Sequence, residues 1–191
     1  MLDHLIRTID THVKLSPAEI ELCRSSFEPI TISKNTLLEA EGHVPKYLYF
    51  VVSGYVRLFT YTEQGDEVTS HLNCPPGFIT AYQHFNQQSR SDDNLECITD
   101  CQLLRISKAK LDQLILQSDN LKKFSIAVFQ QSIAYNENRA KELATLSAEQ
   151  RYRKLIEQNP DVLLNVPIKH IASFLGMNPK SLSRIRKQMI R

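Results

Sequence analysis

The chain has 191 residues, enough for one large domain or two modest ones, and its 42% hydrophobic and 23% charged residues are ordinary for a soluble protein. No apolar run approaches the ~20 residues of a membrane span, and acidic and basic residues interrupt Met1–Asp10, so no membrane partner and no signal peptide is expected and the cytoplasm is the expected compartment. Net charge is only +2, yet residues 1–121 carry 10 Lys and Arg against 16 Asp and Glu, a balance of −6, while residues 122–191 carry 13 against 5, a balance of +8. That asymmetry predicts a polyanion-binding C-terminal part on a neutral-to-acidic N-terminal part.

Ser16-Pro17-Ala18-Glu19 predicts a helix start, with Ser16 as cap, Pro17 in the first turn and Glu19 closing a capping box. From Ile30 the texture changes to short β-prone runs: Ile30–Ser33, Leu37–Glu39, Tyr47–Val52, Tyr55–Tyr61, Glu67–Leu72, Phe78–Thr80, Leu95–Ile98 and Gln102–Ile106. Gly42, Ser53-Gly54, Gln64-Gly65 and Pro75-Pro76-Gly77 punctuate them, which suggests an antiparallel sandwich or barrel of jelly-roll type. Asn86–Asn94 reads as a mobile polar loop. After Ser107 the pattern turns helical, with a short helix to about Leu116 and a longer one from about Asn120 to Leu146. Along the longer one, Ile126, Phe129, Ile133, Asn136, Ala140 and Leu143 form a stripe near heptad spacing, with Asn136 as a polar interruption of the kind that fixes register. The stripe predicts a homodimer coiled coil; packing on the chain's own β domain is the alternative. Ser147-Ala148-Glu149-Gln150 is a second capping box, opening a basic helix that Asn159-Pro160 ends, and Leu163–Pro167 reads as a connector.

Residues 168–191 then read as two short helices with a tight turn. Ala172 is the small residue at the crossing, Gly176 the exit from the first helix, and Leu182 and Ile185 the inward face of the second. The other faces carry Asn178, Lys180, Ser181, Ser183, Arg184, Arg186, Lys187 and Arg191, which suits a helix lying in a DNA major groove. A basic αα-hairpin without a DNA role is the alternative.

The four cysteines, Cys23, Cys74, Cys97 and Cys101, include no C-x-x-C pair. His71 and Cys74 lack a second ligand pair, so no zinc site is expected. Cys97 and Cys101, four apart in a strand-like stretch, are placed on one face by alternation, as buried thiols.

The order of these parts resembles the Crp/Fnr-type regulators. Leu37–Phe59 resembles that family's β-roll segment, with Gly42 and Gly54 at its turns, and Pro76-Gly77-Phe78-Ile79 the stretch entering its effector pocket. Cys97–Cys101, Leu146–Arg151 and Ser181-Leu182-Ser183-Arg184 resemble, in turn, a roll strand, the hinge after the dimer helix, and the core of the recognition helix. The resemblance implies an α+β fold: a double-stranded β-helix sensor over 1–119, a dimerisation helix over 120–146 and a helix-turn-helix over 147–191. It implies double-stranded DNA, a second copy of the chain and RNA polymerase as partners.

The departures carry information. Thr80-Ala81 stands where cyclic-nucleotide binders have Gly-Glu, so the ribose carboxylate is missing; Arg90-Ser91 lies in the polar loop. An effector pocket near Thr80, Ala81, Tyr82, Arg90 and Ser91 is expected not to take cyclic AMP, which leaves either an unidentified small-molecule effector or no ligand at all. Cys23 is the only cysteine before the roll, against an iron–sulfur cluster, and His43, His71 and His84 are read as surface or packing residues rather than haem ligands. Lys180 stands where the family often has a cytosine-reading Glu. Arg184 is the expected base contact, Ser183 and Asn178 meet bases or backbone, and Lys169, Arg186 and Lys187 meet phosphate. No residues follow Arg191 to build the family's wing, which predicts salt-sensitive binding and leaves a ligand-binding module with vestigial DNA binding as the alternative function. A cupin-type enzyme would need clustered ligands, and His71-Leu72-Asn73 lacks the second His, so no catalytic residue, metal or cofactor is expected.

Overall fold

The computed structural model describes residues 1–189, so Arg191 lies outside the described residues. The chain opens with α1 (Leu2–Asp10), which the sequence reading did not assign to a helix. Its signal was present: Leu5 and Ile9, one turn apart, are fully buried. α2 (Pro17–Ser26) starts as expected, with the Glu19 N–H donating to Ser16 Oγ and the Ser16 N–H donating back to Glu19 Oε2 at 2.8 Å.

Eight strands follow, each overlapping one predicted run. They are β1 (Glu28–Ile32), β2 (Thr36–Glu39), β3 (Tyr47–Ser53), β4 (Val56–Tyr61), β5 (Glu67–Asn73), β6 (Gly77–Ile79), then, after helix α3 (Tyr82–Gln87), β7 (Asn94–Cys97) and β8 (Cys101–Ser107). They form two four-stranded antiparallel sheets, β1-β8-β3-β6 and β2-β7-β4-β5. Alternation along β3 explains its near-continuous apolar run. Tyr49 and Val51 join Val56, Leu95 and Leu103 in the roll interior. Leu48 and Phe50, on the other face, pack with α1, α2 and the later helices.

Two local expectations are corrected. Asn86–Asn94 is not a free polar loop: Asn86 and Gln87 complete α3, and Ser91 is strapped to the β2–β3 turn. Gly42 N–H donates to the Ser91 carbonyl at 2.7 Å and Ser91 N–H donates to the His43 carbonyl at 2.9 Å, leaving Ser91 and Asn94 buried. Cys97 and Cys101 do not share one strand. They end β7 and begin β8, in different sheets, and meet in the same interior cluster across the turn at residues 98–100. Gly54 lies against that turn with φ +89; a Cβ there would sit 2.4 Å from the Asp100 carbonyl oxygen.

α4 (Lys108–Gln117) and the 27-residue α5 (Asp119–Thr145) begin at the side-chain caps Ser107 and Ser118. At 1.5 Å per residue α5 is about 40 Å long. Its buried residues, Leu121, Phe124, Ser125 and Val128, all lie in its first ten. The C-terminal part consists of α6 (Ala148–Gln158), α7 (Val162–Asn165), α8 (Ile168–Phe174) and α9 (Pro179–Met189). The stretch read as a connector from Leu163 is thus mostly a helical turn, anchored by the fully buried Val162. α6–α9 do not form a separate core. Tyr152, Leu155, Ile171, Ala172 and Leu182 share one apolar cluster with Tyr55, Leu72 and Ile98 of the roll.

Candidate nucleic-acid interface

α8 and α9 meet through a turn whose hydrogen bonds are complete. Met177 N–H donates to the Ala172 carbonyl and Gly176 N–H to that of Ser173, the two bonds of a Schellman motif. Gly176 sits at φ +64, the left-handed conformation that the motif requires, and Ala172 is fully buried at the crossing. The Asn178 side-chain oxygen accepts from the Ser181 N–H at 2.8 Å and caps α9. Its oxygen is therefore committed to the helix start. Ser183 Oγ donates to the Pro179 carbonyl one turn back.

Leu182 is fully buried and Ile185 partly so, which fixes the rotation of α9. Lys180, Arg184 and Lys187, at i, i+4 and i+7, then share one exposed face, with Ser181, Ser183 and Arg186 partly exposed beside it. Among the described residues none of these cations forms an ion pair. No Asp or Glu side chain occurs after Asp161, so none can come from α8 or α9 themselves. Lys169, also exposed, stands apart from this face. It lines a groove between the α9 N-terminus and the β4–β5 turn, opposite Asp66 and Glu67.

The helix pair is seated on the edge of β5 by contacts the sequence reading did not find. Ser173 Oγ accepts from the Thr69 N–H and donates to the Glu67 carbonyl, both at 2.9 Å. Arg139 of α5 donates to the Thr69 carbonyl at 3.1 Å, its guanidinium lying 4.0 Å above the Phe174 ring. The free edge of the sheet is thus capped by side chains rather than by another strand. Beneath this contact Arg57, 1% exposed, donates to Glu96 and Glu67 at 2.6 Å each and lies over the Phe59 ring. The Glu67 carboxylate is held below its ordinary pKa by Arg57, against the opposing effect of burial. His170, 4.0 Å from Glu67, is pushed down to about 4 by burial and by the charges of Arg57 and Lys169.

The predicted effector residues do not line one cavity. Thr80 is buried with its hydroxyl donating to the Tyr47 carbonyl, Ala81 is buried beside it, and Arg90 is exposed after the end of α3. Ser91 Oγ receives the Asp93 N–H. Tyr82 alone borders a cleft of about 190 Å³ between β5, β6 and α5, shared with His71, Asn73 and Tyr135. His71 stacks on Tyr135 at 4.2 Å, and burial lowers its pKa to about 4. His84 bonds the Ser89 hydroxyl and His43 is exposed. Among the described residues no group of three His, Cys, Asp or Glu side chains is placed to hold a metal ion.

On α5, Ile126, Ile133, Asn136, Ala140 and Leu143 are exposed, while Phe129 is half-buried with its ring against that of Tyr82. Leu143 also approaches the helix-turn-helix: a Cβ on Gly176 would lie 3.0 Å from its Cδ2.

Residues 29–118 match the family of the cyclic nucleotide-binding domain. FixK2 from Bradyrhizobium japonicum aligns with a TM-score of 0.74 at 17% identity, covering 85% of this chain and 84% of that one. CLP, the c-di-GMP responsive global regulator of Xanthomonas campestris, gives 0.68 at 19% identity over 91% of each chain. A chain described as a transcriptional regulator of the crp/fnr family, from Eubacterium rectale, gives 0.68 at 16% identity over 91% of this chain and 83% of that one. No curated protein sequence matches significantly. The chain therefore has the fold of Crp/Fnr-type regulators, with a roll of cyclic nucleotide-binding type, and no described helix is long and apolar enough to cross a membrane.

Proposed function

We propose that this chain, built on the Crp/Fnr fold, is a dimeric, non-enzymatic DNA-binding transcription regulator of the cytoplasm. The observation that carries this reading is the face of α9. Lys180, Arg184 and Lys187 are exposed together and form no ion pair among the described residues, on a helix whose rotation Leu182 sets. A face of unpaired cations on a helix-turn-helix is the electrostatic footprint of duplex binding. Arg184 is the base-reading residue, with guanine as its natural partner, and Lys187 and Arg186 contact phosphate.

The exposed stripe on α5 supports the dimer. Ile126, 48% exposed, and Ile133, 59% exposed, are large apolar side chains on a helix whose own roll covers only the opposite side. Pairing two copies would bury them and set two α9 helices into successive major grooves about 34 Å apart. RNA polymerase is a further partner in this reading. Cyclic AMP is not the effector in this reading: Thr80-Ala81 carries no carboxylate where the resemblance implies one, the Thr80 hydroxyl is engaged by the Tyr47 carbonyl, and Arg90 is exposed. The roll then either takes a different small molecule or serves as a scaffold without a ligand.

Fluorescence anisotropy of the full chain against a genomic fragment library, at two salt concentrations, tests the proposal. At least one fragment is expected to bind at least ~10³-fold more tightly than random duplex. Equal affinity for every fragment would instead identify a ligand-binding module with vestigial DNA binding.

A further inference from the structure

We infer that the cleft between the second half of α5, α6 and the end of α8 is a binding site for a small molecule carrying two or more anionic groups. The cleft has a volume of about 210 Å³, and its polar lining includes Asn138, Arg139, Glu142, Arg151, Lys154 and Gln158. Leu72, Leu155 and Phe174 form its apolar floor. A concave apolar floor with a few convergent polar groups is the usual construction of a small-molecule site.

Charge determines what the site takes. Three cations face one carboxylate, and that carboxylate is engaged: Lys154 Nζ lies 2.5 Å from Glu142 Oε1. Arg139 and Arg151 form no ion pair with a carboxylate among the described residues. Arg139 donates one bond, to the Thr69 carbonyl, and Arg151 donates two, to the carbonyls of Leu175 at 2.9 Å and Leu146 at 2.6 Å. A guanidinium has five N–H groups in a rigid fork, so most of the donors of both residues remain for a ligand. Their positions are set in advance, Arg139 by stacking on Phe174 and Arg151 by its two carbonyl anchors. Burial lowers the Arg139 pKa from its ordinary value and the nearby Arg151 charge adds to the lowering, while Tyr135 and Glu142 oppose it without restoring the ordinary value. Carboxylate and phosphate oxygens are the groups that two guanidinium forks recognise.

Size limits the ligand further. The volume equals that of about seven waters, below the ~300 Å³ at which drug-sized pockets begin. The site therefore suits a small di-acid or phosphorylated metabolite rather than a dinucleotide. It spans α5, the hinge carbonyl of Leu146 and the end of α8, so an occupant would tie the long helix to the helix-turn-helix. It is separate from the face of α9 and does not depend on the DNA-binding reading.

Calorimetric titration of the full chain with pyrophosphate and, separately, with succinate at constant ionic strength tests this site. Saturable binding of one anion per chain, with a Kd of about 1 mM or tighter, is expected for at least one of the two. A pyrophosphate response assigns phosphate chemistry and a succinate response carboxylate chemistry. Arg139→Gln should weaken binding at least tenfold. Gln158→Glu, a change on the exposed rim that leaves the Thr69 contact intact, should do the same by adding a negative charge. The Arg184→Gln/Lys187→Gln double variant on α9 should bind as wild type. The inference is overturned if neither anion saturates, if binding survives both cleft variants, or if it disappears with the α9 variants.

Discussion

Replacing Arg57 by Met isolates the ion cluster under the docked helix pair. Arg57 is 1% exposed and its guanidinium serves Glu96, Glu67 and the Thr69 hydroxyl, the last at 3.5 Å. Removing one partner of a buried ion pair costs about 3–5 kcal/mol, because a charge is left without compensation. The two carboxylates differ in their recourse to water. Glu96 is 19% exposed and Glu67 35% exposed, so Glu67 can partly rehydrate. The loss should therefore fall at the lower end, about 3 kcal/mol. Urea denaturation followed by circular dichroism, at pH 7 and fixed protein concentration because a dimer's stability depends on it, measures this loss. The cause is separated by repeating the substitution in a Glu96→Gln/Glu67→Gln background. With no charge left to strand, Arg57→Met should cost less than about 1.5 kcal/mol there, the range of an apolar swap of similar volume. An equal loss in both backgrounds would mean that packing on Phe59, rather than charge compensation, is what Arg57 supplies.

Acid should loosen the fold before its carboxylates titrate. His71 and His170 are both held down to about 4 by burial, first, and then by Arg139 for His71 and by Arg57 and Lys169 for His170. Their folded pKa lies below the unfolded value of 6.5, so the unfolded chain binds more protons and stability falls as pH drops from 6.5 toward 4. The full effect is on the order of 3 kcal/mol per histidine; a urea midpoint constant between pH 6.5 and 5 would refute it. Glu19, held at about 2 mainly by the Ser118 hydroxyl, adds its loss progressively as pH falls from its ordinary 4.5 through 2. Ser173→Ala leaves the buried Thr69 N–H without its acceptor and should cost about 1–3 kcal/mol, with the Thr69 amide exchanging faster in hydrogen-exchange measurements. Arg184→Gln should weaken the best DNA fragment by about 1–3 kcal/mol and relax its specificity. Lys187→Gln should weaken all fragments alike and lower the salt slope by about 0.9; anisotropy on both variants distinguishes the roles. Ile133→Asp should turn a dimer into a monomer in light scattering, and an unchanged mass would remove the α5 stripe from the interface.

Local chemistry was legible where its cause was local. The capping boxes at Ser16 and Ser147 are present because cap and partner lie three residues apart. Gly176 takes positive φ because the Schellman turn demands it. The eight strand runs appear because turn residues separate them. α1, whose buried Leu5 and Ile9 are one turn apart, and α7, which buries only Val162, were missed because both are short and lack a side-chain cap. The separation of Cys97 from Cys101 was misread because alternation presumes a continuous strand, and the turn between them has no glycine or proline to announce it.

What the sequence by itself determined is therefore the eight strands, the longer helices and the helix-turn-helix, the acid-free basic face of α9 and the apolar stripe of α5, because spacing along one helix decides which side chains share a face. What only the tertiary structure decided is how the parts meet. Ser173 and Arg139 cap the edge of β5 across 104 and 70 residues of chain. Arg57 is buried between carboxylates from two other strands. Arg139 and Arg151 converge on one cleft from different helices. A serine or arginine carries no local mark of a distant backbone partner, and burial of its charge depends on which surfaces the folded chain brings together.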